Sequence, residues 1–263
     1  MVALSVNINK IALLRNSRSG NQPDLLQQAK QCIALGADGI TVHPRPDQRH
    51  IRASDIPALE LLLRDYPSIE FNIEGNPFAP PQGSYPGFMA LIEQSRPAQC
   101  TLVPDSDAQL TSDHGFDLQH DGERLRPIIA QLQAWGCRVS LFMDPDCEQI
   151  TIAKNIGADR IELYTGPYAE ACAAKNTAAI NTQLQRHAAA CRHAATLGLG
   201  VNAGHDLNLD NLPALVEALP ALAEVSIGHA LIIDALQNGL ANTIAAYKRT
   251  LSLSQPASKN HAN

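Results

Sequence analysis

Short β-branched runs alternate with amphipathic segments along the chain. The runs are LSVNIN (4 to 9), GITVHP (39 to 44), IEFNIEG (69 to 75), QCTLVP (99 to 104), RVSLFMD (138 to 144), RIELYTG (160 to 166), LGVNAG (199 to 204) and VSIGHA (225 to 230). Between them lie segments with helical periodicity, among them PDLLQQAKQCIALGA, ASDIPALELLLRDYP and GERLRPIIAQLQAWG. Several of these end on a glycine just before the next strand, as in LGADGITV, WGCRVSL, IGADRIEL and LGLGVNA, where Gly takes the left-handed cap conformation. Eight strand-loop-helix units, with strands that read as near-continuously apolar, predict an α/β fold. The closed parallel (β/α)8 TIM barrel fits better than an open doubly wound sheet, which usually has about five or six strands.

Two connections exceed the minimal unit. Residues 105 to 123 are long and polar, and residues 167 to 185 extend the link after the sixth strand. Extra short helices and lids are expected there, on the C-terminal face. With 263 residues, the chain matches a barrel of about 250 residues, so one domain over 1 to 263 is expected, ending in a polar, frayed tail near 254 to 263.

Composition narrows the partners. Apolar residues make up 45% and aromatic ones only 4%, so the core must be built from Ala, Leu, Ile and Val. A net charge of −6 argues against a nucleic-acid or anionic-membrane surface and leaves room only for a local cationic pocket. The six cysteines lack paired spacing and read as reduced packing residues. No basic-then-apolar leader opens the sequence and no apolar run approaches the roughly 18 residues of a membrane span, so the cytoplasm is the default location.

In such a barrel the chemistry sits at the C-terminal strand ends. The first strand delivers Asn7, Asn9 and Lys10; the second His43, followed by Arg45 and His50; the third Glu74; the fourth leads to Thr111. The sixth brings Glu162, the seventh Asn202 and His205, and the eighth Gly228 and His229. One buried polar residue is usually a paired structural group. Polar groups at seven of eight strand ends point to catalysis.

Acid–base work needs groups whose pKa values separate near neutrality. Glu74, desolvated beside Ile73, is the favoured base, with His43 opposite it and His205 as donor to a leaving hydroxyl. The plainer reading of Glu74 is an ion pair with a strand-end Arg. Backbone N–H groups of NAGHD (202 to 206) and IGHA (227 to 230) suit one phosphate. A second anion has Arg45, His50 and Thr111, and Arg18 stands on a loop that can close over a ligand. No HxH, HExxH or CxxC spacing suggests a metal, and NAGHDL lacks the glycine pattern of a nucleotide loop.

The motifs VNINKIALLRNSR, GADGITVHPRPDQRHI, NIEGN, CTLVPD with QLTSDHGFD, VSLFMD, IELYTGPYA, LGVNAGH and IGHA occur in that order between about residues 4 and 250. In this the chain resembles the pyridoxine 5′-phosphate synthase family of vitamin B6 biosynthesis. The resemblance implies a cofactor-free and metal-free ring closure of 3-amino-2-oxopropyl phosphate with 1-deoxy-D-xylulose 5-phosphate, releasing phosphate and water. It makes His43 and Glu74 bases and His205 the acid. It gives the amino-ketone phosphate to Asn7, Arg18, Asp206, Gly228 and His229, and the sugar phosphate to Asn9, Lys10, Arg45, His50 and Thr111. It also implies a homo-octamer built from dimers.

The chain departs from the family pattern at three positions. Asn9 and Lys10 stand where Asp-His is usual, and Asp206 where Gly is usual. A carboxylate at 206 is expected to point away from a bound phosphate. Two other readings stay open at this point: a Schiff-base aldolase using Lys10, and a non-catalytic barrel that binds a phosphorylated metabolite.

Overall fold

The computed structural model describes residues 1 to 106 and 108 to 252. The expected tail at 254 to 263 lies outside the described residues. Eight parallel strands close into a barrel in sequence order, with β1 paired to both β2 and β8. They are β1 (Ala3–Asn7), β2 (Gly39–Val42), β3 (Glu70–Gly75), β4 (Gln99–Leu102), β5 (Arg138–Met143), β6 (Arg160–Tyr164), β7 (Gly200–Gly204) and β8 (Leu222–Ile227). This is the (β/α)8 barrel that the alternating pattern predicts.

The helices that follow each strand pack on its outside. They are α1 (Asn9–Asn16) and α2 (Leu25–Ala34) after β1, then α3 (Asp55–Leu63), α4 (Phe88–Ser95), α5 (Leu118–Ala134) and α6 (Cys147–Asn155). The sixth unit carries two, α7 (Gly166–Ala173) and α8 (Thr177–Thr196), followed by α9 (Leu212–Ala218), α10 (His229–Asn238) and α11 (Leu240–Ser252). Asp24, Asp117, Asp146 and Asn176 cap α2, α5, α6 and α8, each side chain accepting an otherwise unpaired first-turn N–H. The glycines read as helix stops, Gly36, Gly136, Gly157 and Gly198, all have positive φ, between 72° and 105°.

The strands are not continuously apolar. They alternate, and the barrel interior is polar where this fold usually packs Val, Ile and Leu. Leu4, Val6, Ile40, Val42, Ile73, Leu141 and Ile161 face the helices in one buried cluster with Ile56, Leu59, Phe88, Leu125 and Ile129. The intervening positions turn inward and bond to one another. Ser5 Oγ meets Thr41 Oγ1 at 2.6 Å, Asn72 donates to Thr41 Oγ1 at 3.3 Å, and Thr101 donates to Asn72 Oδ1 at 3.1 Å. Nearer the N-terminal mouth, Arg138 pairs with Glu70 and Gln99, and Arg160 with Asn202 (2.8 Å) and Glu224 (3.4 Å). Gly200 is required there, since a Cβ on it would lie 2.7 Å from the Arg160 side chain.

Each of the eight strands differs from its expected run at one end or both, and two of these differences bear on the site. β8 spans 222 to 227 rather than 225 to 230, because Gly228 leaves the strand and His229 opens α10. Asn9 and Lys10 lie in the first turn of α1 rather than on the strand. No helix among the described residues is long and apolar enough to cross a membrane.

Candidate active site

A cavity of about 390 Å³ opens at the C-terminal ends of the strands. It is lined by Asn7, Asn9, Lys10, His43, Arg45, His50, Glu74, Thr111, Glu162, His205, Asp206, Gly228 and His229 among others. Of the strand-end and site residues expected from sequence, all line it except Asn202, which turns down to Arg160 near the N-terminal mouth, and Arg18. Arg18 is exposed on the loop between α1 and α2, outside the cavity. Its backbone is carried out there because α1 takes up the residues directly after β1.

Glu74 sits on β3 under the cavity. Asn7 Nδ2 donates to its Oε2 at 3.3 Å and Ser226 Oγ to its Oε1 at 3.4 Å. No arginine or lysine pairs with it among the described residues, so the ion-pair reading does not hold. Burial above all, with the negative charge of Asp105, pushes its carboxyl up to about 8, against the opposing Ser226 hydrogen bond. Glu162, on β6, is driven well above the carboxylate range by burial and then by Glu74, and its Oε2 is buried without a hydrogen-bond partner. Space for it comes from Gly204, whose Cβ would stand 2.1 Å from Glu162 Oε1.

His43 follows β2. Its Nδ1 lies 3.7 Å from Glu74 Oε2 and its Nε2 3.5 Å from Asp105 Oδ2. Burial, then the charges of Arg45 and Arg49, push the imidazole down to about 3, so it is neutral across the working range. His50, whose Nδ1 accepts from the Ile51 N–H at 2.9 Å, is pushed down to about 3, first by burial and then by His43 and Arg45. Asn9 is explained by one contact: its Oδ1 accepts the His43 N–H at 2.9 Å. That role needs an acceptor and no charge, so an amide serves as well as the usual carboxylate.

His205 stands across the cavity with its Nε2 2.9 Å from Thr111 Oγ1 and its ring edge-on to Tyr164. Both His205 (φ 83°) and Asp206 (φ 56°) adopt the left-handed conformation, held by Thr165 Oγ1 donating to the Gly204 and His205 carbonyls. A glycine pattern at 206 therefore has a backbone cause. Asp206 tolerates the same φ. Its carboxylate Oδ2 is 2.9 Å from His205 Nδ1, off the line of a hydrogen bond, and His205, His229 and Lys10 hold its carboxyl low.

Arg45 is already engaged. It contacts Asp105 and donates to the Gln109 carbonyl at 3.0 Å, and Arg49 donates to the same carbonyl at 2.9 Å. Sequence reading missed Arg49, Asp105, Ser112 and Ser226. Asp105 had a signal, since it directly follows the fourth strand run; Ser226 had none, being one small residue inside a strand.

Titratable side chains gathered over the C-terminal strand ends of a closed barrel define a (β/α)8-barrel enzyme. The chain belongs to the family described as pyridoxal phosphate biosynthesis protein PdxJ, whose model matches residues 4 to 253. It is 57% identical over 254 residues to the pyridoxine 5′-phosphate synthase of Xanthomonas oryzae pv. oryzae (strain MAFF 311018), covering 97% of this chain and 98% of that protein. It is 53% identical to the pyridoxine 5′-phosphate synthase of Xylella fastidiosa (strain 9a5c), covering 97% and 96%. Among solved structures, KGPDC from Streptococcus mutans matches with a TM-score of 0.62 at 9% identity over 97% of this chain and all of that one, a likeness of fold.

Proposed function

We propose that the chain is a pyridoxine 5′-phosphate synthase, condensing 3-amino-2-oxopropyl phosphate with 1-deoxy-D-xylulose 5-phosphate to give pyridoxine 5′-phosphate, phosphate and water. The observation that carries this reading is one cavity holding a neutral imidazole, His43, beside a carboxyl poised near 8, Glu74, with a second imidazole, His205, facing them. His43 and Glu74 take protons during elimination and ring closure, and His205 gives one to the departing hydroxyl. Glu162, held neutral, donates a hydrogen bond to oxygen that gains charge.

Asn7, Gly228, His229 and the Asp206 backbone receive the amino-ketone phosphate, with Arg18 reaching it after movement of its loop. Lys10, Arg45, His50 and Thr111 receive the sugar phosphate, with Arg45 exchanging its Asp105 and carbonyl contacts for phosphate oxygens. The chains assemble as dimers into an octamer in the cytoplasm, and no cofactor or metal takes part. Incubation of the purified chain with both substrates tests the activity. Pyridoxine 5′-phosphate with stoichiometric phosphate is expected. Binding of both substrates without product would favour a binding barrel, and borohydride trapping on Lys10 would favour the aldolase.

A further inference from the structure

Both ring nitrogens of His43 face a carboxyl group, Nε2 toward Asp105 at 3.5 Å and Nδ1 toward Glu74 at 3.7 Å. A neutral imidazole has one N–H, so the two carboxyls must differ in what they offer. Asp105 is fixed on three sides. Its carboxylate contacts Arg45 and accepts from Ser112 Oγ at 3.0 Å, while its backbone carbonyl accepts from Asn76 Nδ2 at 2.6 Å. Burial raises the Asp105 carboxyl above its ordinary value, and the Arg45 guanidinium and the Ser112 hydrogen bond oppose that rise; in the ionised form they favour, the side chain is acceptor-only. His43 Nε2 faces Oδ2, the oxygen that Arg45 and Ser112 also use, while Oδ1 of the same carboxylate is buried without a hydrogen-bond partner, so the group as a whole has accepting capacity left over. Glu74 lies in the opposite condition, with only Asn7 and Ser226 as hydrogen-bond donors and no guanidinium pair among the described residues. Raised to about 8, it exchanges near neutral pH between a protonated form that can donate to Nδ1 and an ionised form that can take a proton in the reaction.

We propose that Asp105 is a positioning residue: its carboxylate accepts the Nε2 proton of His43, so that Nδ1 turns its lone pair toward Glu74 and the cavity. The carboxylate selects the tautomer that works as a base on the substrate side. Asn9 completes the arrangement by holding the His43 backbone N–H, which fixes where the ring pivots. The charged and titratable groups around the ring are Glu74 from β3, Asp105 from beyond β4, and Arg45, Asp47, Arg49 and His50 from its own loop, with Lys10 of α1 beyond His50. Arg45 and Arg49 favour the neutral ring, and Asp105 decides which nitrogen keeps the proton.

The structural part of this inference is independent of the reaction, whereas its catalytic consequence rests on the proposed synthase activity. Long-range ¹H–¹⁵N correlation on the ¹⁵N-labelled full chain at neutral pH reads the tautomer, with His43 assigned by its loss in His43→Gln. The Nε2–H form is expected in the wild type. In Asp105→Asn the ring should shift toward Nδ1–H and kcat should fall roughly 100-fold, with KM for either substrate much less affected. Asp105→Glu should restore part of kcat and the Nε2–H signature. An Nδ1–H tautomer in the wild type, or unchanged tautomer and kcat in Asp105→Asn, overturns the proposal. If Asp105→Asn fails to fold, the wild-type tautomer still decides. A wild type that makes no product while showing Nε2–H would sink the synthase reading and leave the role of Asp105 standing.

Discussion

The two ends of the barrel interior are built from the same kind of residue and do different things. At the N-terminal mouth each carboxylate has an arginine: Glu70 pairs with Arg138, and Glu224 lies 3.4 Å from Arg160. At the C-terminal end Glu74 and Glu162 have no arginine or lysine partner among the described residues, and Glu162 Oε2 lacks even a hydrogen bond. A buried carboxyl without a cation is costly and is retained where its altered proton affinity is useful. Pairing closes the lower mouth as a structural plug. Its absence leaves the upper end chemically open.

Exchanging one carboxyl for an amide at the upper end gives the largest expected effect. Glu74→Gln keeps the hydrogen bond from Asn7 through its carbonyl oxygen, turns its NH2 toward Ser226 Oγ, which can accept it, and cannot take a proton. Turnover should fall about 1,000-fold, with the thermal midpoint nearly unchanged, as followed by product formation and calorimetry. Near-wild-type turnover would remove Glu74 from the reaction.

Breaking the lower end should do the reverse. Arg160→Met removes the cation beside Glu224 and the donor to Asn202, and should cost about 3 kcal/mol in denaturant unfolding above pH 8, where Glu224 ionises, and less at neutral pH, while turnover per folded molecule stays within about twofold. In a Glu224→Gln background the same change should cost less. A variant that lost turnover but not stability would erase the distinction between the two ends.

A smaller effect separates them by pH. Glu224 is pushed up to about 8, by burial and then by Glu70 and Glu162, from an ordinary value of 4.5. The folded chain therefore binds this proton more tightly than the unfolded one. The resulting stabilisation is complete below about 4.5 and is lost as pH rises through 8, at up to about 1.4 kcal/mol per pH unit. Glu74 has the same sign. His43 and His50, held near 3, act oppositely, destabilising the fold as pH falls below 6.5. Between pH 6.5 and 8 the carboxyls dominate this set, so the melting temperature should decline with pH. Glu224→Gln should make that decline shallower. An unchanged slope would mean that Glu224 is ionised in the folded state.

Much of this was legible from residue order. The glycine stops at 36, 136, 157 and 198 announced the return to each strand, and the polar strand ends announced the cavity that now holds Asn7, His43, Glu74, Glu162 and His205. Arg18 stands on a loop, as expected, but sequence distance from β1 says nothing about the short helix α1, which sets that loop outside the cavity. The inward alternation of Ser5, Thr41, Asn72 and Thr101 was visible as single polar letters and was masked by reading the strands as uniformly apolar. Asp206 was expected to keep its carboxylate away from a bound phosphate; the structure gives it a left-handed backbone and sets the carboxylate beside His205, a neighbour that charge alone did not indicate.

By itself the sequence determined the barrel, its eight units and the family, because strand and helix periodicity, glycine stops and ordered motifs are local properties of the chain. Only the tertiary structure decided which carboxyls share an arginine and which stand alone, since Glu74, Arg45 and Asp105, or Glu224 and Arg160, meet across strands far apart in sequence. Their proton affinities follow from that meeting and from burial, both of which exist only once the barrel has closed.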